Sequence, residues 1–217
     1  MVEEVEKPTL TYFKLHAKAD PIRMLLAKAG VDYVDRQLTF EEFAPLKASG
    51  ALPAGQVPLW QVPGKPLMNQ AWAILRHLGR QHGFYTDLQE EEGYLIDWVL
   101  ETSIDLQNAK VYMTQLRPSD DAATNEAGVT NFKKFHDQIA IKVGAGRKFI
   151  ASDRLTIADF VVLSHYLTLA FNDAVQSDGI VQRRNIASSS PEVNAYLDRV
   201  KAEIVDYLDD VRGDYIA

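Results

Sequence analysis

The chain has 217 residues, 47% of them hydrophobic and 24% charged, enough to bury a large core divided between two small domains. A net charge of −7 argues against nucleic acid as the main partner, because phosphate binding needs clustered lysine and arginine. With no cysteine and five scattered histidines lacking any HExxH-like pairing, the chain is expected to hold no disulfide, metal site or cysteine nucleophile, so any sulfur chemistry must use a thiol carried by a ligand.

Residues 1–8 lack the basic and apolar regions of a signal peptide, and no later apolar run reaches the roughly 18 residues of a membrane helix. The expectation is a soluble, cytoplasmic protein without membrane insertion. From residue 9 to about residue 85, β-rich runs at 10–13, 33–37 and 57–62 alternate with helical runs at 21–29 and 71–81. Such alternation predicts an α/β layer. The first strand closes on Leu10-Thr11-Tyr12-Phe13, and a tyrosine at a strand end can aim its phenol at a ligand on neighbouring loops. Tyr12 is therefore a candidate hydrogen-bond donor to an anion. In Gly55-Gln56-Val57-Pro58 the proline pushes Val57 into extended geometry, and a cis bond there would turn the Val57 backbone outward toward a peptide-like ligand. On the 71–81 helix, Arg76, His77 and Arg80 read as the solvated face opposite Ile74, Leu75 and Leu78.

Beyond Phe84-Tyr85-Thr86-Asp87 the pattern is helical almost throughout. Leu95, Trp98, Val99 and Thr102 fall at helical spacing, as do Phe132, Phe135 and Ile139, with Gly144 and Gly146 as breaks. In Leu155-Thr156-Ile157-Ala158-Asp159-Phe160, Thr156 can cap a helix while Asp159 reaches back to the cap's N–H, and Leu155 can staple onto Phe160. That helix is expected to start at Thr156. Ser188-Ser189-Ser190-Pro191 reads as a loop before a last amphipathic helix. The expected division is an α/β domain over residues 1–84 and an all-α domain over residues 85–217.

These motifs, with Ala19-Asp20-Pro21-Ile22-Arg23, Leu46-Lys47-Ala48-Ser49 and Ala73-Ile74-Leu75-Arg76-His77-Leu78-Gly79-Arg80, occur in the order that resembles a cytosolic glutathione S-transferase. The likeness is to the tyrosine-type sigma and pi classes and runs over essentially the whole chain. It implies an α/β thioredoxin-like N-terminal domain with a cis-proline at Pro58, an all-α C-terminal domain, and a homodimer. It also implies glutathione as co-substrate, no further cofactor, and a hydrophobic electrophilic small molecule as the second partner.

Carried over residue by residue, the resemblance makes Tyr12 the catalytic hydrogen-bond donor to the glutathione sulfur. Lys47 would meet the glycyl carboxylate, with Gln56 nearby, and Val57 before Pro58 would pair by backbone with the cysteinyl unit. Gln70, with Ala71 at the start of the next helix, would receive the γ-glutamyl end, and Asp105 would reach the γ-glutamyl amine across a dimer interface. Leu15, Tyr112 and Leu116 would wall the pocket for the electrophile, with the tail near Tyr215 as a lid. Taken singly, Lys47 and Gln56 read as solvated side chains and Asp105 as a solvent-facing charge.

Three positions depart from the family pattern: Ala71 replaces a serine hydroxyl, Lys18 an arginine, and Phe43 a tryptophan whose indole N–H binds the glycyl end. Weakened glutathione binding is the expectation. Three functions stay open: conjugation of an electrophile, a glutathione-dependent isomerisation or peroxide reduction, and a non-enzymatic ligand carrier or structural role.

Overall fold

The computed structural model describes residues 6–108, 122–175 and 177–214. Four strands, β1 (Thr9–Phe13), β2 (Val34–Leu38), β3 (Leu59–Gln61) and β4 (Met68–Asn69), form one sheet in the order β2-β1-β3-β4. β1 runs parallel to β2 and antiparallel to β3, which is antiparallel to β4. Paired on both edges, β1 buries Leu10, Thr11 and Tyr12, and its register sets Tyr12 opposite Gln37, one residue before the strand ends. β2 is an edge strand whose Arg36 and Gln37 are exposed.

The helices of this first part differ in how much they bury. In α1 (Asp20–Lys28), Ile22, Leu25 and Leu26 have no exposed surface. By contrast α2 (Phe40–Ala48) buries nothing and is held at its start by Thr39, whose N–H donates to Glu42 at 2.7 Å while its hydroxyl accepts from the Glu42 N–H at 3.1 Å. α3 (Ala71–His82) ends at Gly83, where φ is 84°, the left-handed stop that glycine adopts without strain. Inside α3, Gly79 is required by close approach, since an added Cβ would stand 2.6 Å from the Ile157 Cγ2.

After Phe84 every regular element among the described residues is helical: α4 (Glu90–Asn108), α5 (Ala122–Val143), α6 (Ile157–Leu169), α7 (Asp178–Ser188) and α8 (Pro191–Ala202), then short turns at Tyr207–Val211 and Arg212–Asp214. α6 is buried along all its residues except Leu167, as its nearly unbroken apolar sequence requires. Its start confirms the expected reciprocal cap, shifted by one: Thr156 is the cap and Ile157 the first helical residue. One Asp159 oxygen accepts the Thr156 N–H at 2.8 Å and the Thr156 hydroxyl at 2.9 Å; the other accepts the Ile150 N–H at 3.0 Å and the Tyr196 hydroxyl at 2.9 Å. Four donors answer the cost of burying this carboxylate, whose pKa burial nonetheless raises. Ser190 caps α8 just ahead of Pro191, and the expected loop over 188–191 is shorter than read, because Ser188 closes α7 and Pro191 opens α8.

The two parts share one hydrophobic core. It runs without a break from Leu10 on β1 through Ile22 and Leu75 to Phe160, Tyr196 and Tyr207. No helix among the described residues is long and apolar enough to cross a membrane.

Candidate functional site

A cavity of about 310 Å³ opens where β3, the starts of α1 and α3, and α4 converge. Six of the residues singled out in the sequence line it: Lys18, Gln56, Val57, Pro58, Gln70 and Ala71. The Val57-Pro58 peptide bond is cis, and the Val57 N–H and C=O find no partner among the described residues. The middle of the cavity is therefore bounded by a free peptide edge, the kind of surface to which an extended peptide adds as a strand.

The end of the cavity formed by α3 suits an anion. Gln70, the residue before the helix, holds φ 70° and ψ 108° and offers no side-chain cap. A non-glycine residue in that region costs about 1–3 kcal/mol and persists only where its surroundings impose it. The first-turn amides of a helix have no intrahelical acceptor, and the first-turn residues Ala71, Trp72 and Ala73 all line the cavity. Two cations sit nearby. Lys18 has no ion-pair partner among the described residues, while Arg76 on α3 is tied to Asp97 at 2.8 Å and Glu101 at 3.4 Å. The amphipathic pattern puts Arg76, His77 and Arg80 on a solvated face; His77 and Arg80 are exposed as expected, whereas Arg76 lines the cavity. Its 23% side-chain exposure is the exposure of a cleft wall.

Tyr12 does not line the cavity and is packed in the hydrophobic core. The residue is 6% exposed, with the Arg23 guanidinium 5.9 Å from its ring centroid. Burial pushes the phenol above its ordinary pKa, opposed by a backbone hydrogen bond from Lys18 and by the Arg23 charge. With its pKa raised, the phenol keeps its proton at neutral pH. A protonated phenol can donate to an anion; a phenolate could not.

Other expected residues stand apart from the cavity lining. Lys47 lays its stem over Gly55, whose added Cβ would be 3.3 Å from the Lys47 Cε, and its ammonium is 6.0 Å from the Phe43 ring. Phe43 packs edge-on against Phe13 at 5.1 Å, and Phe40 stacks on the same ring at 4.8 Å while remaining 64% exposed. Leu15 is buried in the core, and its carbonyl accepts from Arg23 at 2.7 Å. Asp105 is exposed on α4, next to Ile104, which does line the cavity. Tyr112, Leu116 and Tyr215 lie outside the described residues. Ile104 carried no sequence signal beyond the helical spacing of α4.

No family model matches the chain. It is 33% identical over 164 residues to probable glutathione S-transferase 6 of Caenorhabditis elegans, covering 72% of this chain and 77% of that protein. Identity is 30% over 210 residues to glutathione S-transferase 4 of the same organism, covering 90% and 98%. Among solved structures the fold is similar to a nematode-specific glutathione transferase of C. elegans, with a TM-score of 0.78 at 24% identity over 94% of this chain and 97% of that one.

Proposed function

The chain belongs to the glutathione S-transferase family and is a transferase enzyme with a thioredoxin-like first domain, and from that premise we propose that Tyr12 activates bound glutathione for attack on a hydrophobic electrophile. A cysteine thiol ordinarily titrates near about 8.5, so at neutral pH only a small part is the nucleophilic thiolate. A hydrogen bond donated to the charged sulfur favours that form and lowers the thiol pKa. The observation that supports the proposal is the buried, proton-retaining Tyr12, whose phenol feels the backbone of Lys18, a residue that lines the same cavity as Gln56, Val57 and Gln70.

In this reading the γ-glutamyl carboxylate rests on the open start of α3 near Gln70 and Lys18, and the cysteinyl unit pairs with the Val57 backbone. The sulfur is then delivered to the phenol, which is catalysis by positioning plus anion stabilisation. Lys47 and Gln56 serve the glycyl end. Phe13, Phe40 and Phe43 form an aromatic surface beside Tyr12 that suits an apolar electrophile. Asp105 is exposed on α4, and the homodimer that the family resemblance implies is part of this reading, with Asp105 reaching the γ-glutamyl amine from the second chain.

Ala71 sets the strength of the first step. A hydroxyl missing at the helix start removes one hydrogen bond to a charged group, about 1.5–3 kcal/mol or roughly tenfold to a hundredfold in affinity, offset in part by the first-turn amides. Calorimetric titration with glutathione, read together with the ultraviolet absorbance of bound thiolate, tests the proposal. Binding with a thiolate signal that Tyr12→Phe abolishes is the expected result. Millimolar binding with no thiolate in the parent protein would instead support a ligand carrier, the role that the changes at Lys18, Phe43 and Ala71 favour.

A further inference from the structure

Asp20, the first residue of α1, is completely buried, and the far end of the chain surrounds its carboxylate. One oxygen accepts the Tyr207 hydroxyl at 2.7 Å, with the His16 Nδ1 at 3.8 Å. The other accepts the Ser164 hydroxyl at 2.8 Å and the Arg212 guanidinium at 3.2 Å from Nε and 3.1 Å from Nη2. Arg212 also donates to the Thr168 hydroxyl at 3.3 Å. Neither Tyr207 nor Arg212 lines the cavity. Buried ion pairs of this kind are weak contributors to stability compared with apolar packing, so their presence asks for another reason.

The reason lies two residues upstream. Between His16 and Asp20 the chain makes a tight turn over Ala17–Ala19, closed by the Asp20 N–H to the His16 carbonyl at 3.0 Å. Ala17 holds φ 34°, a value an alanine keeps only when both flanks of the turn are fixed. Lys18, in the middle of that turn, lines the cavity, and its backbone counters the effect of burial on the Tyr12 phenol, whose ring lies 5.9 Å from the Arg23 guanidinium. On one flank, the Arg23 guanidinium grips the Leu15 carbonyl at 2.7 Å and the Phe13 carbonyl at 3.4 Å. On the other flank stands Asp20, held by Ser164 on α6 and by the segment around Tyr207 and Arg212.

We propose that Tyr207 and Arg212 act as positioning residues for the Tyr12 phenol, locking Asp20 and through it the turn that carries Lys18. The inference rests on the reading of Tyr12 as the donor to the glutathione sulfur. It assigns the last described turns of the chain a role in the chemistry without contact with either substrate.

Four variants of the full chain test it: Tyr12→Phe, Tyr207→Phe, Arg212→Gln and Arg212→Lys. Each is read for glutathione affinity by calorimetry, for kcat and KM, and for the pH midpoint at which bound glutathione becomes thiolate. Tyr207→Phe and Arg212→Gln are expected to raise that midpoint and lower kcat roughly three- to tenfold, a modest part of what misplacing a reacting group can cost, while glutathione affinity stays within about twofold. Arg212→Lys keeps the charge and is expected to recover part of the loss. An unchanged midpoint and kcat in folded Arg212→Gln would overturn the proposal while leaving Tyr12 in place. An unchanged midpoint in Tyr12→Phe would overturn the reading of Tyr12 and this inference with it. Arg212 is partly exposed, so its two variants decide the matter even if Tyr207→Phe does not fold.

Discussion

Two helix starts in this protein face the same physical problem and solve it in opposite ways. Each begins with amide groups that no earlier turn can accept. At α6 they are answered from within: Thr156 and Asp159 cap one another, and Asp159 also ties in Ile150 and Tyr196 deep in the core. At α3 no side chain caps them, Gln70 is held in an unfavourable backbone region, and the first-turn residues line a cavity. A closed start builds a scaffold, whereas an open one costs conformational energy and leaves partners free for a ligand.

The largest effect is expected from breaking the closed start. Asp159→Ala leaves four donors near the core with one acceptor fewer each, a loss of about 3–5 kcal/mol that a denaturant midpoint would register as a severely destabilised or unfolded protein. Next comes Gly79→Ala, which drives a methyl into Ile157, the first residue of α6, and should cost about 1–3 kcal/mol by the same measurement.

At the open start the effect is on ligand rather than fold. Ala71→Ser restores a hydroxyl and is expected to tighten glutathione binding by about tenfold in calorimetry, with thermal stability essentially unchanged. A smaller effect at neutral pH contrasts two buried carboxylates. Asp159 is raised by burial, whereas for Asp20 burial is outweighed by Arg212, His16, Tyr207 and Ser164, leaving its pKa below the ordinary value. Beside Asp20, burial lowers His16 to about 4 and His165 to about 3. These histidines stay neutral in the fold but charge in the unfolded chain below its ordinary value of 6.5. Their contribution is complete above that value and is lost as pH falls toward 4 and then 3. Asp20 adds its own loss as pH drops through its lowered folded value. Asp159 acts in the opposite sense, because its raised folded pKa favours the fold on acidification and offsets part of these losses. Stability measured by urea unfolding should therefore be flat above pH 7 and decline on acidification, with His16→Gln flattening the first part of the decline.

Local sequence chemistry made α6 legible, because a cap, its partner three residues on and an apolar run all sit within one short segment. The Tyr12 strand, the Val57-Pro58 segment and the Ser190-Pro191 helix start were readable for the same reason. α2 went unread although Thr39 and Glu42 form a cap of the same kind, because none of its residues is buried and no apolar period marks it. β4 has two residues and no distinctive pattern. Arg76 was misplaced because amphipathic spacing separates core from non-core and cannot tell bulk solvent from a cleft. The lock on Asp20 was out of reach for another reason: its partner Tyr207 is 187 residues away, and a hydroxyl facing a carboxylate across that distance leaves no trace in spacing.

The unbroken apolar interior from Leu10 to Tyr207 has a thermodynamic corollary. Neither portion can melt while the other persists, since losing one strips the inner faces of α1 and α3 or of α6 and exposes them to water. Heating should produce a single cooperative endotherm, and the first 84 residues made alone should fail to hold their shape.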